Sequence, residues 1–224
     1  MARFTRLAIY NQVLESAMMP LFYHADVDVA LKVTGALYEG GCRLLEFTNR
    51  GDFAITVFTD LIRAAATEYP DMIIGVGTVS DAPTAALYLA HGANFVVSPT
   101  FDAEVARLCN SRKVAYMPGC GTLTEIATAE SYGVEIVKLF PGKTAGGPDF
   151  VKAVKGPRPW TSIMPTGGVS PDEDNLSGWF NAGVACVGMG SQLVRKDWVA
   201  SGDYASITQT AKQALDIIKR LRSS

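Results

Sequence analysis

An excess of either charge, histidine, closely paired cysteines and long apolar runs are all scarce in this 224-residue sequence, and each scarcity removes a class of function. Lys and Arg number 20 against 22 Asp and Glu, a formal net charge of −2, so the chain lacks the basic excess with which nucleic-acid binders neutralise phosphates. The two histidines, His24 and His91, lie far apart and outside any H-x-x-x-H or Cys/His cluster, which argues against a zinc-dependent mechanism. Both read as loop or helix-end residues. The four cysteines, Cys42, Cys109, Cys120 and Cys186, include no C-x-x-C pair and are read as reduced thiols of a cytoplasmic protein. No apolar run approaches the ~20 residues of a membrane-spanning helix. Met1–Glu15 carries two arginines, but Asn11 and Gln12 interrupt its apolar residues, so no secretory signal is expected.

What the sequence does have is 48% hydrophobic residues, at a length where a globular chain buries roughly 70% of the surface its unfolded form exposes. Short apolar or β-branched runs alternate with longer segments of helical period, the pattern of repeated βα units around a parallel sheet. The expected strands are Ala17–Tyr23, Arg43–Thr48, Met72–Val76, Phe95–Ser98, Ala115–Met117, Ile136–Leu139, Ser162–Met164 and Ala185–Gly188. Expected helices include Val27–Glu39, Phe53–Glu68, Ala82–His91, Ala103–Ser111, Leu123–Ser131 and Asp172–Asn181. Helix starts are marked by Ser80 or Asp81 before Pro83, by Asp102, by Thr122 before Glu125, and by Ser170 before Pro171. Gly40–Gly41, Gly92, Gly133 and Gly183 follow helical segments, as left-handed C-terminal residues do. With no linker or low-complexity tract, residues 1–224 are expected to form one (β/α)8 TIM barrel rather than an open doubly wound sheet.

Such barrels place their chemistry where strands end and βα loops begin. Four clusters fall there: Glu46-Phe47-Thr48-Asn49-Arg50, Gly75-Val76-Gly77-Thr78, Val137-Lys138-Leu139-Phe140-Pro141 and Pro165-Thr166-Gly167-Gly168. Lys138 is the sharpest, because an ammonium in a strand covered on both faces must be paired or give up its proton, and the neutral amine is the form that attacks a carbonyl. A structural lysine paired with a buried acid is the alternative. Period-2 geometry puts Leu44, Glu46 and Thr48 on one strand face, so Glu46 can meet Lys138 inside the mouth, either as a proton shuttle or as a plain ion pair. Arg50 is placed to grip a substrate carboxylate, its alternative being an ordinary surface arginine. Thr166-Gly167-Gly168 and Gly188-Met189-Gly190-Ser191 close two strands where many barrels bind phosphate through backbone N–H groups.

These pieces, together with Ser98-Pro99 and Met117-Pro118-Gly119, resemble the 2-keto-3-deoxy-6-phosphogluconate (KDPG) and 4-hydroxy-2-oxoglutarate (KHG) aldolase family over nearly the full length. The resemblance implies a metal-free, cofactor-free class I aldolase of carbohydrate metabolism, of the Entner–Doudoroff type. In it Lys138 forms a Schiff base with a 2-oxo acid, Glu46 moves protons, and Arg50 and Thr166 hold the carboxylate. It further implies that Thr78 and Pro99 line the pocket, that Gly167, Gly168, Gly190 and Ser191 bind phosphate, and that the protein is a homotrimer. The sequence departs from the family pattern at Asn49-Arg50-Gly51, at Gly142, and at Gly188-Met189-Gly190-Ser191-Gln192, where a Gly-Gly-Ser-Trp element is usual. Two rival functions share the same motifs: a phosphate-binding isomerase or epimerase with Glu46 as base, and a non-catalytic metabolite-binding barrel.

Overall fold

A computed structural model describes residues 2–223. Helix α1 (Arg6–Ser16) leads into β1 (Met18–Phe22), after which helices and strands alternate: α2 (Val27–Glu39), β2 (Leu44–Thr48), α3 (Ala54–Glu68), β3 (Ile73–Gly77), α4 (Ala82–Ala90), β4 (Phe95–Val97), α5 (Ala103–Arg112) and β5 (Ala115–Met117). There follow β6 (Gly119–Cys120), α6 (Leu123–Ser131), β7 (Ile136–Leu139), α7 (Gly147–Lys155), β8 (Ser162–Pro165), α8 (Glu173–Asn181), β9 (Val187–Met189), α9 (Lys196–Ser201) and α10 (Tyr204–Ser223). All eight expected strands are present. The fifth is longer than expected, since it resumes as β6 after Pro118, whose missing N–H interrupts the ladder.

Every pairing is parallel. Six strands form one sheet in the order β5-β4-β3-β2-β1-β9, and three form a second in the order β6-β7-β8. The sheets are joined at Pro118, whose carbonyl accepts the Lys138 N–H at 2.8 Å, and at a parallel bridge between Thr166 and Gly188. Every residue of β1, β2, β3 and β7 is buried, so both faces of these strands are covered and they read as near-continuous apolar runs. Burying a leucine, valine or phenylalanine there contributes about 1.5–3 kcal/mol, and Leu44, Leu45, Phe47, Phe95 and Met164 are fully buried. A charged residue among them is conspicuous.

The helix starts follow the expected chemistry with one correction. Asp81, Asp102 and Thr122 each accept the backbone N–H three residues on, as does Asp26, which was not among the expected caps, and Glu125 reaches back to the Gly121 N–H at 2.8 Å. Ser170 is not the cap of α8. Asp172 is, because its extended backbone points the carboxylate at the Asn175 N–H, while the Ser170 hydroxyl bonds to that same carboxylate. Phe53 is likewise the residue before α3, held at φ 60° and 81% exposed. At the other edge, α10 buries Ile207, Ala211, Ala214 and Ile218 and packs on α2 and α8. Gly40 permits that approach, since a Cβ there would stand 2.7 Å from the Cβ of Ala211.

Candidate active site

Lys138 is the third residue of β7 and Glu46 the third of β2, so the two come from different sheets. Their side chains nevertheless meet, with Nζ 3.5 Å from Oε1 and side-chain exposures of 6% and 1%. Neither Glu46 oxygen has a hydrogen-bond partner among the described residues. A buried ion pair kept for structure needs its remaining lone pairs satisfied, so this open carboxylate is better suited to taking and returning a proton. Gly77, at the end of β3, makes the room: a Cβ there would overlap the Glu46 carboxylate. The Phe140 ring stands 5.3 Å from Nζ of Lys138 and covers the amine with an aromatic face.

A cavity of about 860 Å³ opens at this end of the strands. Arg50 lines it from the loop after β2, Thr166, Gly167 and Gly168 from the end of β8, and Gly190 and Ser191 from the end of β9. Arg50 is exposed and makes no ion pair with any described carboxylate. Its loop is held at its root: Asn49 N–H donates to the Gly77 carbonyl at 2.8 Å, and the Tyr88 hydroxyl donates to Asn49 Oδ1 at 2.9 Å. Burial pushes the Tyr88 phenol up to about 12, so it remains a donor. Thr166 Oγ1 is buried without a hydrogen-bond partner, another polar atom left for something else to satisfy. Gly188 gives it space, because a Cβ there would overlap that hydroxyl.

Thr78 and Pro99 fall elsewhere. Pro99 lines a second cavity of about 330 Å³, which shares only Phe140 with the first. Thr78 lines neither, and follows β3 in the left-handed region at φ 61°, a conformation that costs a β-branched residue on the order of 1–3 kcal/mol. The main cavity also contains residues that the sequence motifs missed. Tyr23 and His24, from the loop after β1, and Gln192 and Lys196, beyond β9, all line it. Gln192 directly follows the Gly190-Ser191 element, but no local pattern flags Tyr23, His24 or Lys196 for the cavity, because only the fold brings them there. Among the described residues no group of three or more His, Cys, Asp and Glu side chains gathers as a metal site, and no helix is long and apolar enough to cross a membrane.

This arrangement of buried amine, open carboxylate, free guanidinium and glycine loops has relatives. The family model described as "KDPG and KHG aldolase" matches residues 9–210. The chain belongs to this family. It is 37% identical to the 2-dehydro-3-deoxy-phosphogluconate aldolase of Pseudoalteromonas atlantica, covering 90% of this chain and 91% of that one. It is 33% identical to the KHG/KDPG aldolase of Escherichia coli, over 89% and 91% of the two chains. A crystal structure of KDPG aldolase from Legionella pneumophila, with pyruvate captured as a covalent carbinolamine, superposes with a TM-score of 0.81 at 28% identity, covering 90% of this chain and 96% of that one. The protein is therefore an aldolase, a carbon–carbon lyase, and the isomerase and binding-only readings give way.

Proposed function

We propose that this aldolase cleaves 2-keto-3-deoxy-6-phosphogluconate to pyruvate and glyceraldehyde 3-phosphate, 4-hydroxy-2-oxoglutarate to pyruvate and glyoxylate, or both, through a Schiff base on Lys138. The observation that carries the reading is the buried Lys138–Glu46 pair with its unbonded carboxylate. The Lys138 amine adds to the C2 ketone, and loss of water from the carbinolamine gives an iminium. Glu46 takes the proton of the C4 hydroxyl as the C3–C4 bond breaks. The bonding pair flows into the iminium, the aldehyde leaves, and an enamine remains. Glu46 then returns the proton to C3, and hydrolysis frees pyruvate and the amine.

Arg50 and the unsatisfied hydroxyl of Thr166 hold the substrate carboxylate, while Gly167, Gly168, Gly190 and Ser191 offer N–H and O–H donors to the phosphate. Gly167 and Gly168, at φ 93° and 80°, adopt the left-handed backbone of such a loop.

With this function goes a closed (β/α)8 barrel in one domain spanning residues 1–224. The meeting of Glu46 and Lys138 across two sheets, and the junctions at Pro118 and Thr166–Gly188, support it. The homotrimer implied by the family resemblance, and a cytoplasmic location consistent with four buried free thiols, complete the proposal. Light scattering of the purified protein tests the trimer.

The chemistry is tested by incubating the protein with pyruvate and sodium borohydride and measuring its intact mass, then mapping the adduct. A pyruvate-sized addition at Lys138, absent from Lys138→Ala, is expected. No addition to the folded protein at saturating pyruvate would overturn the Schiff-base mechanism.

A further inference from the structure

The main cavity holds more positive charge than one carboxylate requires. Arg50 and Lys196 both line it, His24 joins them, and no aspartate or glutamate is part of its wall. Lys196 makes no ion pair with a described carboxylate, so its charge is free for a ligand.

His24 is held as a donor. The Asp26 N–H donates to its Nδ1 at 3.1 Å, with the Asp26 carbonyl the more distant neighbour at 3.3 Å. With Nδ1 accepting, the ring proton of the neutral imidazole resides on Nε2. The half-buried ring therefore presents an N–H donor on the wall that Gly167, Gly168 and Ser191 share.

We infer that His24 and Lys196 are specificity-determining residues that bind the anionic far end of the substrate, a phosphate ester, alongside the glycine loops. The inference rests on the aldolase reading and adds to it two side chains, His24 and Lys196, on the cavity wall. A neutral polyol end would accept hydrogen bonds from both groups but leave the Lys196 charge uncompensated, whereas a phosphate neutralises that charge and makes the stronger charge-assisted bonds. This is also the region where the sequence departs from its family, with Gly188-Met189-Gly190-Ser191-Gln192 in place of a Gly-Gly-Ser-Trp element. A different loop there gives reason for other side chains to contribute to phosphate recognition.

The test compares kcat/KM for the phosphorylated six-carbon acid with that for its unphosphorylated counterpart in wild type, His24→Ala, His24→Gln and Lys196→Ala. The ratio should fall about tenfold in each alanine variant, the size of one hydrogen bond to a charged group. His24→Gln, which keeps an N–H donor, should recover part of it. A matching loss with 4-hydroxy-2-oxoglutarate, whose far end is a carboxylate, would show that the site takes both anions. Unchanged ratios would overturn the proposal, and so would equal losses on the neutral-ended acid. Calorimetric titration with inorganic phosphate gives a readout independent of turnover: wild type should bind, and each alanine variant should bind about tenfold more weakly. Failure of wild type to bind phosphate would overturn the proposal, even with pyruvate trapped on Lys138. Failure of pyruvate trapping alone would remove the aldolase mechanism and leave the phosphate titration to decide the anion site.

Discussion

Nζ of Lys138 stands 3.5 Å from Oε1 of Glu46, yet neither oxygen of that buried carboxylate has a hydrogen-bond partner among the described residues. Short charge-assisted hydrogen bonds run to about 2.7–2.9 Å, so the two groups are in each other's field without being locked together. A pair arranged in this way contributes little to stability for the desolvation it incurs. The Schiff-base role proposed for Lys138 would account for such a pair in an otherwise apolar interior.

The first prediction separates those roles. Replacing both partners by apolar residues of similar volume, Lys138→Met with Glu46→Leu, should leave thermal stability unchanged or raise it by about 1–4 kcal/mol, while abolishing turnover. Lys138→Met alone should cost roughly 3–5 kcal/mol, because Glu46 is left buried without its cation. Denaturant unfolding of the three proteins checks this. A double variant much less stable than the parent would mean that the pair is structural.

Gly77→Ala tests the space given to Glu46. Its Cβ would overlap the carboxylate, and the backbone of β3, paired to β2 from Ile73 to Gly77, cannot easily yield. The expected result is a fold weakened by about 1–3 kcal/mol and a kcat reduced at least as much as in Glu46→Gln. Wild-type kcat in Gly77→Ala would show that Glu46 tolerates displacement and so does not act at a fixed distance.

Arg50→Ala should chiefly raise KM. The guanidinium lines the cavity and has no carboxylate partner of its own, so its loss removes a charged contact worth about 1.5–3 kcal/mol to the ligand while disturbing little in the protein. Steady-state kinetics should show KM increased by one to two orders of magnitude, with the melting temperature unaffected. An unchanged KM would remove Arg50 from the carboxylate site.

Much of this was legible in the sequence because burial and period leave strong marks. The eight expected strands are short apolar runs, and the three expected caps that the structure bears out, Asp81, Asp102 and Thr122, are side chains whose hydrogen bond is made within three residues. Lys138 and Glu46 declared themselves as charges inside such runs. The expected helices did not include α1, whose buried residues are only Ile9, Tyr10 and Val13, or α10, whose inner face is half alanine, because small or sparse contact faces give a faint pattern. Gly146 and Gly147, at positive φ, similarly obscured the start of α7. His24 and Lys196 lie 172 residues apart in the sequence and meet the same cavity, so no motif could pair them. Tertiary placement alone brings them to its wall.

Alkaline pH supplies a last prediction, from groups that take no part in catalysis. Cys42, Cys109, Cys120 and Cys186 are buried, and desolvation pushes each thiol from its ordinary 9.0 up to about 12. Burial does the same to the phenols of Tyr88 and Tyr116, from 10.0 to about 12. In the unfolded chain these groups lose their protons first, so above pH 9 the unfolded state is increasingly favoured. The stability they contribute is complete below about pH 9 and is lost as pH rises toward 12. Denaturant midpoints should therefore be level from pH 7 to 8.5 and fall steadily beyond, with a shallower fall in Cys186→Ala, where one fully buried thiol is removed. In the native protein at pH 8 all four thiols should resist a disulfide reagent that titrates them fully in denaturant. A midpoint that stays flat to pH 11, or rapid modification of the folded protein, would show that these side chains are reached by water and are not the dry core described.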